Sequence, residues 1–275
     1  MATNQPKVEW GALLNEALTA PGNLTGVYDR FHDYSFGNMM LFVMQGVREP
    51  VASFSRWKSL GRHVVRGARA KEVIVPVLIN EPVPEDEPID DKRERVARLI
   101  GFKAVRAVFT LSDTEGKDLE PAPIPNWDEA ALLAKFGLRQ VTFNNTNGNL
   151  QGWSHGLEFA INPVAVNPTK TKFHEWAHII LGHTMPSVHA EYAEHRGLME
   201  GEAEGTALIV MKELDLLDDE TAGHMRGYVQ HWMGEDSFTD KAAQRIFKAA
   251  DAILRAGRVA SVPIGPPTPT TLTDI

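Results

Sequence analysis

Asn167-Pro168-Thr169-Lys170-Thr171-Lys172-Phe173-His174-Glu175-Trp176-Ala177-His178-Ile179-Ile180-Leu181-Gly182 decides how the second half of this chain is read. Asn167 is a residue type whose side chain caps a helix start, and Pro168 suits the first helical position. Gly182 suits the end, because a left-handed residue closes a helix most easily when it has no Cβ. The expected helix runs to Leu181. His174 and His178 lie four apart on it, on one face and about one turn from each other. Two imidazole nitrogens placed in this way supply half of a tetrahedral zinc site. Glu175 lies beside the pair, where a carboxylate can take a proton from water at the metal and return it to a leaving amine. The His-Glu-x-x-His pattern carries that chemistry in metallopeptidases. Phe173, Ala177 and Ile180 add an apolar stripe that sets the site against a core. Two surface histidines on an amphipathic helix are the plainer alternative.

A catalytic zinc needs a third protein ligand and an open fourth position. Arg196-Gly197-Leu198-Met199-Glu200-Gly201-Glu202-Ala203-Glu204 opens a later helix. Glu200 and Glu204 share a face of it, and Glu202 points elsewhere. The economical assignment makes Glu200 the third ligand and gives Glu204 a hydrogen bond from a ligand histidine. Glu202 is the competitor for ligation. Acids near a helix start are also favoured by its dipole alone. His183 is expected to cap the end of the histidine helix, with ligation as its alternative. His155, His189 and His195 have no partner spacing, and Tyr192 reads as packing.

Outward from the motif, residues 140–143 read as a strand, Asn147-Gly148 as a hairpin turn, and residues 150–153 and 157–166 as return strands. Residues 127–136 read as a helix before them. After the motif, residues 196–216, 221–233 and 241–256 are helical. Pro121-Ala122-Pro123-Ile124-Pro125 resists both helix and ladder and marks a boundary. Ahead of it, helices are expected at 10–18, within 28–45 around a break at Ser35-Phe36-Gly37, and at 53–60. Val73 to Ile79 and Ala104 to Thr110 are rich in β-branched residues and read as strands. Residues 80–98, acidic and proline-bearing, read as a loop or partly helical insertion. These elements divide the chain into 8–120, a linker at 121–126, 127–258, and a Pro/Thr-rich disordered tail at 259–275. The fold class is α+β.

Cysteine is absent, which removes disulfides, thiolate metal sites and cysteine nucleophiles. No apolar run approaches the roughly 18 residues of a membrane span, so no membrane partner is expected. The start of the chain has no apolar stretch behind basic residues, so no secretory signal is expected either. A cytoplasmic setting fits. The net charge of −8 argues against a protein that coats duplex DNA over its whole surface. Even so, Arg56, Lys58, Arg62, Arg66, Arg69 and Lys71 follow one another with no acid between them. That strip can meet phosphates in a salt-sensitive way, and Tyr34, Phe36 and Trp57 can offer faces on which unpaired bases stack. Aromatics at helical spacing are, however, more often core.

Tyr34-Ser35-Phe36-Gly37-Asn38, Trp57-Lys58-Ser59-Leu60-Gly61-Arg62, Val65-Arg66-Gly67 and Val108-Phe109 to Thr114-Glu115-Gly116 resemble the N-terminal domain of ArdC-type antirestriction proteins, which plasmid TraC-type primases share. The arginine-rich stretch that many relatives carry ahead of the Tyr-Ser-x-x-Asn segment is absent; that region has only Arg30. The second half, with residues 173–178 and 200–204, resembles the zinc metallopeptidase-like domain of the same proteins and the gluzincin-like proteases of the ImmA/IrrE type. The resemblance implies an N-terminal mixed α/β domain that binds single-stranded DNA, followed by a gluzincin-like domain with a small sheet and several helices. It implies one Zn2+ per chain, a peptide or protein substrate, and protection of incoming DNA from restriction; imidazole and carboxylate ligands also suit other divalent metals. A strand near residues 157–161 is expected to align such a substrate by edge pairing. Two other functions share the zinc: a regulatory protease that cleaves a specific repressor, and a DNA-protecting binder in which zinc is structural.

Overall fold

The computed structural model describes residues 8–19, 34–80, 97–118, 126–145, 149–186, 189–233 and 238–259. Helix α1 (Trp10–Thr19) is followed by α2 (Phe36–Met44), which starts at the break read at Ser35-Phe36-Gly37. Phe36, Met39, Met40 and Phe42 are all buried, as befits a helix apolar on most sides and sunk in a core. Gly37 lets α1 and α2 cross closely, since a Cβ there would meet the Trp10 ring at 2.6 Å. Strand β1 (Val51–Ser53) leads into α3 (Phe54–Ser59), which Ser53 caps by accepting from the Arg56 N–H. Gly61, at φ +77°, reverses the chain into β2 (Arg62–Val64).

Strands β3 (Lys71–Asn80) and β4 (Ala97–Thr110) form a long antiparallel pair, and β1 joins the other side of β4. Ala97 and Arg98, expected in a loop or helical insertion, instead begin β4, and Asn80 ends β3. The pairing of Leu78 with Leu99 and Ile79 with Arg98 extends the ladder beyond the β-branched cores of both strands. Residues 81–96 lie outside the described residues. Beyond β4, β5 (Thr114–Gly116) pairs with β2 in a separate ladder.

The second half begins with β6 (Asn126–Trp127) and α4 (Glu129–Phe136). Strands β7 (Arg139–Gln140), β8 (Gly152–His155) and β9 (Glu158–Ile161) follow. The strand order β7-β9-β8 corrects the expected pairing of the strands on either side of Asn147-Gly148, a turn that itself lies outside the described residues. The hairpin joins β8 to β9 through Gly156, at φ +57°, and β7 runs parallel to β9 on the far side. Gly156 supplies the left-handed residue that a tight return needs. Strand β9 therefore occupies the middle, and β7 and β8 are the edges among the described residues.

Helices α5 (Pro168–Leu181), α6 (His189–Glu213), α7 (Asp219–Met233) and α8 (Asp240–Ala256) complete the second half, with β10 (Arg258–Val259) returning to β6. Val259, expected in the tail, is thus paired. The linker at 121–125 and residues 260–275 lie outside the described residues. Among the described residues no helix is long and apolar enough to cross a membrane.

Helix α8 has a well-separated apolar face, and it packs against α1, α2, α4, α5 and α6. Phe247 lies 5.4 Å from the Phe36 ring and 6.2 Å from Trp10, centre to centre. Asp240 accepts from the Gly11 N–H, and Lys212 on α6 donates to the Ala17 carbonyl. One buried apolar cluster consequently runs from Leu14 and Phe36 through Ile246 to Phe173 and Trp176. The architecture is mixed α and β, with α5 and α6 placed against the small sheet.

Candidate metal centre

The termini of α5 set its direction. Asn167 accepts from the Lys170 N–H at 2.9 Å, Pro168 takes the first turn, and Gly182 closes the helix at φ +82°. Trp176 is wholly buried between Phe159 and Phe173, which fixes the rotation of the helix. That rotation turns His174 and His178 toward α6. His174 Nε2 lies 3.1 Å from His178 Nε2, and Glu200 Oε2 lies 3.3 Å and 3.7 Å from the two. Ligand atoms of these three residues all fall within 4.8 Å of one another. Atoms held 2.0–2.1 Å from a tetrahedral zinc lie roughly 3.3 Å apart. The donor set, two imidazoles and a carboxylate, and its spacing both fit a divalent cation.

Glu204 is wholly buried one turn beyond Glu200. Its Oε2 lies 2.9 Å from His174 Nδ1, and its Oε1 lies 2.8 Å from Lys170 Nζ. Glu202 faces the other way, with Oε2 3.0 Å from His183 Nε2 and 3.1 Å from Arg245 Nη2. It stands apart from the ligand group. Glu175, on the side toward the sheet, accepts from Ser154 Oγ at 2.6 Å. Strand β8 approaches this closely because Gly152 has no side chain; a Cβ there would meet Thr171 at 2.6 Å and Glu175 Oε1 at 3.2 Å.

Charge is concentrated here. Burial works against a proton on His174, but hydrogen bonds to Glu200 and Glu204 and the charges of Glu204 and Glu175 outweigh it and raise its pKa to about 9. The same negative field favours a cation between the imidazoles. Glu204 is opposed by burial and still sits below the usual carboxylate range, held there by His174 and Lys170. His183 is lowered, because burial exceeds the effect of its bond to Glu202.

His183 differs from its expected role. Gly182 forms the cap, and the His183 side chain turns inward, with Nδ1 3.0 Å from His178 Nδ1. A cleft of about 1260 Å3 opens over the histidines. It is walled by residues 149–154 of the sheet edge and by Thr221, His224 and Tyr228 of α7. His155 is exposed, and the side chains of His189, Tyr192 and His195 are outside those described.

The N-terminal candidates are scattered. Trp57 is 1% exposed and donates its indole N–H to the Phe109 carbonyl. Phe36 is fully buried. Tyr34 donates to the Val51 carbonyl and meets Phe42 edge-on. Arg62 is buried, donating to the Thr114 hydroxyl and to the carbonyls of Thr114 and Lys117. Arg56, Lys58, Arg66 and Arg69 are exposed, and Lys71 is half-buried.

Sequence reasoning passed over Ser154, Lys170 and Arg245. Lys170 carried a signal, lying four residues before His174 on the same helix. Ser154 and Arg245 come from a strand and a distant helix and carried none.

The fold and site together define a mixed α/β protein with a His-His-Glu centre suited to a divalent metal. Residues 8–109 match the family described as the N-terminal domain of anti-restriction factor ArdC. The chain also aligns with two crystal structures of the antirestriction ArdC protein from the R388 plasmid. The metal-free one has 15% identity, 91% of this chain and 96% of that chain covered, and a TM-score of 0.49. The Mn(II)-bound one has 14% identity, 91% and 98% coverage, and a TM-score of 0.47. No curated protein matches the chain.

Proposed function

We propose that this chain is an antirestriction-type protein that binds single-stranded DNA through its first half and cleaves a peptide bond at a gluzincin-like zinc centre in its second. The observation that carries the peptidase part is the convergence of His174, His178 and Glu200 beside Glu175, in a cleft open to solvent. When bound, a zinc ion there supplies Lewis acidity and brings a water's pKa down to about 7. His174 and His178 each present Nε2, and Glu200 presents Oε2. Glu175 receives the proton from water and later delivers it to the departing amine. Ser154 holds the Glu175 carboxylate in place. An extended substrate is aligned by β8 rather than by the strand at 158–161, since β9 is paired on both sides and β8 borders the cleft.

The DNA part is supported by the ArdC-type domain and by the exposed cations Arg56, Lys58, Arg66 and Arg69. Stacking falls to Phe54, which is 58% exposed on the same short helix as Arg56 and Lys58. Trp57 supports the core instead.

Metal content by mass spectrometry, paired with single-stranded DNA binding and cleavage of a peptide library, tests the proposal on wild type, His178→Ala and Glu175→Gln. About one zinc per chain is expected in wild type and in Glu175→Gln, with near-complete loss in His178→Ala. Cleavage should vanish in both variants, and DNA binding should survive in both. A wild type that takes up no zinc after reconstitution refutes the metal centre. A zinc-loaded wild type without cleavage leaves a DNA-protecting protein with structural zinc.

A further inference from the structure

His178 is backed on its Nδ1 side by a chain of polar groups that starts at His183 and ends at Arg245. Its Nδ1 lies 3.0 Å from His183 Nδ1, and His183 Nε2 lies 3.0 Å from Glu202 Oε2. Arg245 Nη2, on α8, lies 3.1 Å from that same oxygen and donates to the Leu181 carbonyl. The side chains of His183 and Glu202 are 1% and 3% exposed, so they must be satisfied within the protein.

The chemistry of these groups fixes where the protons lie. A carboxylate only accepts, so Glu202 calls for an N–H on His183 Nε2. That leaves His183 Nδ1 as an acceptor, and the proton between the two Nδ1 atoms belongs to His178. His178 Nε2 is then a bare lone pair, directed toward His174 and Glu200. The opposite assignment has Arg245 donating to His183 Nε2, 3.1 Å away. It would place a proton on His178 Nε2 and set Glu202 against a lone pair. Arg245 already has Glu202 and the Leu181 carbonyl as acceptors and does not need it.

Resting on the metal-centre reading above, we infer that His183 and Glu202, anchored by Arg245, are positioning residues that lock His178 in its metal-binding tautomer. Both ligand histidines are thereby oriented by a carboxylate of α6. Glu204 acts on His174 directly, and Glu202 acts on His178 through His183. Only the second arm reaches α8. Glu202, a competitor for ligation in the sequence, serves the metal from one residue further out.

Zinc affinity, measured by competition with a chromophoric chelator, tests this on wild type, His183→Leu and His183→Gln, with circular dichroism as the control for folding. His183→Leu is expected to bind zinc roughly 10- to 100-fold more weakly. His183→Gln should recover most of the loss, because its amide can accept from His178 and donate to Glu202. Unchanged affinity in a folded His183→Leu overturns the relay. If His183→Leu does not fold, long-range nitrogen-15 NMR of the zinc-loaded wild type decides. Protons on His178 Nδ1 and His183 Nε2 support the relay, and a proton on His183 Nδ1 overturns it. A wild type that binds no zinc removes the metal centre and the relay together. A wild type that binds zinc beside unaffected variants removes the relay alone.

Discussion

The face between α5 and α6 and the cationic stretch from Arg56 to Lys71 each present several chemically matched residues close together in sequence, yet only the first gathers them in space. His174 and His178 share one helix, and Glu200 and Glu204 share another, so a fixed period decides that each pair points one way. The cations instead run along a short helix, a strand, a turn and a second strand. Each element sends its side chains in its own direction. Arg62 points inward to the carbonyls of Thr114 and Lys117, while Arg66 and Arg69 face solvent.

The largest effect that would break this contrast lies at Trp57. Trp57→Ala should cost about 3–5 kcal/mol of stability, as a buried aromatic does, measured by urea unfolding. Single-stranded DNA affinity of the folded fraction should stay near wild type; a stable variant that had lost DNA would make Trp57 a binding residue after all. Next comes Glu204→Ala, which leaves His174 and the one-third exposed Lys170 without their buried carboxylate. A loss of about 3 kcal/mol is expected, at the low end for a broken buried pair, and thermal unfolding with and without zinc checks it. Phe54→Ala should weaken single-stranded DNA binding by about 1–3 kcal/mol in a fluorescence anisotropy titration, with stability changed by less than about 0.5 kcal/mol. Smallest are Lys58→Ala and Arg66→Ala. Each should reduce the slope of log affinity against log salt by about 0.7 and leave unfolding unchanged. Equal effects from Arg62→Ala on that slope, without loss of stability, would erase the distinction between inward and outward cations.

Legibility followed the same division. The span of α5 could be read because Asn167, Pro168 and Gly182 act through local backbone geometry, and the structure places its cap and terminator on those residues. The strand order of the small sheet could not. Asn147-Gly148 is a sound turn signal, but whether the strands on either side pair depends on β9, which inserts between them. The inward turn of His183 depends on Glu202 and Arg245, 19 and 62 residues away. Burial of Trp57 depends on the Phe109 carbonyl across the sheet, 52 residues on. Contacts over such separations leave no local period to read.

Helix α8 also governs the order of events when the chain is made. Phe36 and Trp10 emerge from the ribosome more than two hundred residues before Phe247, the ring they pack against. At about 5–20 residues per second, that delay lasts on the order of tens of seconds. Throughout it, α1 and α2 have an apolar face without its partner. Such long-range closure slows folding and lengthens exposure to aggregation. The interval is a window in which a chaperone has something to hold.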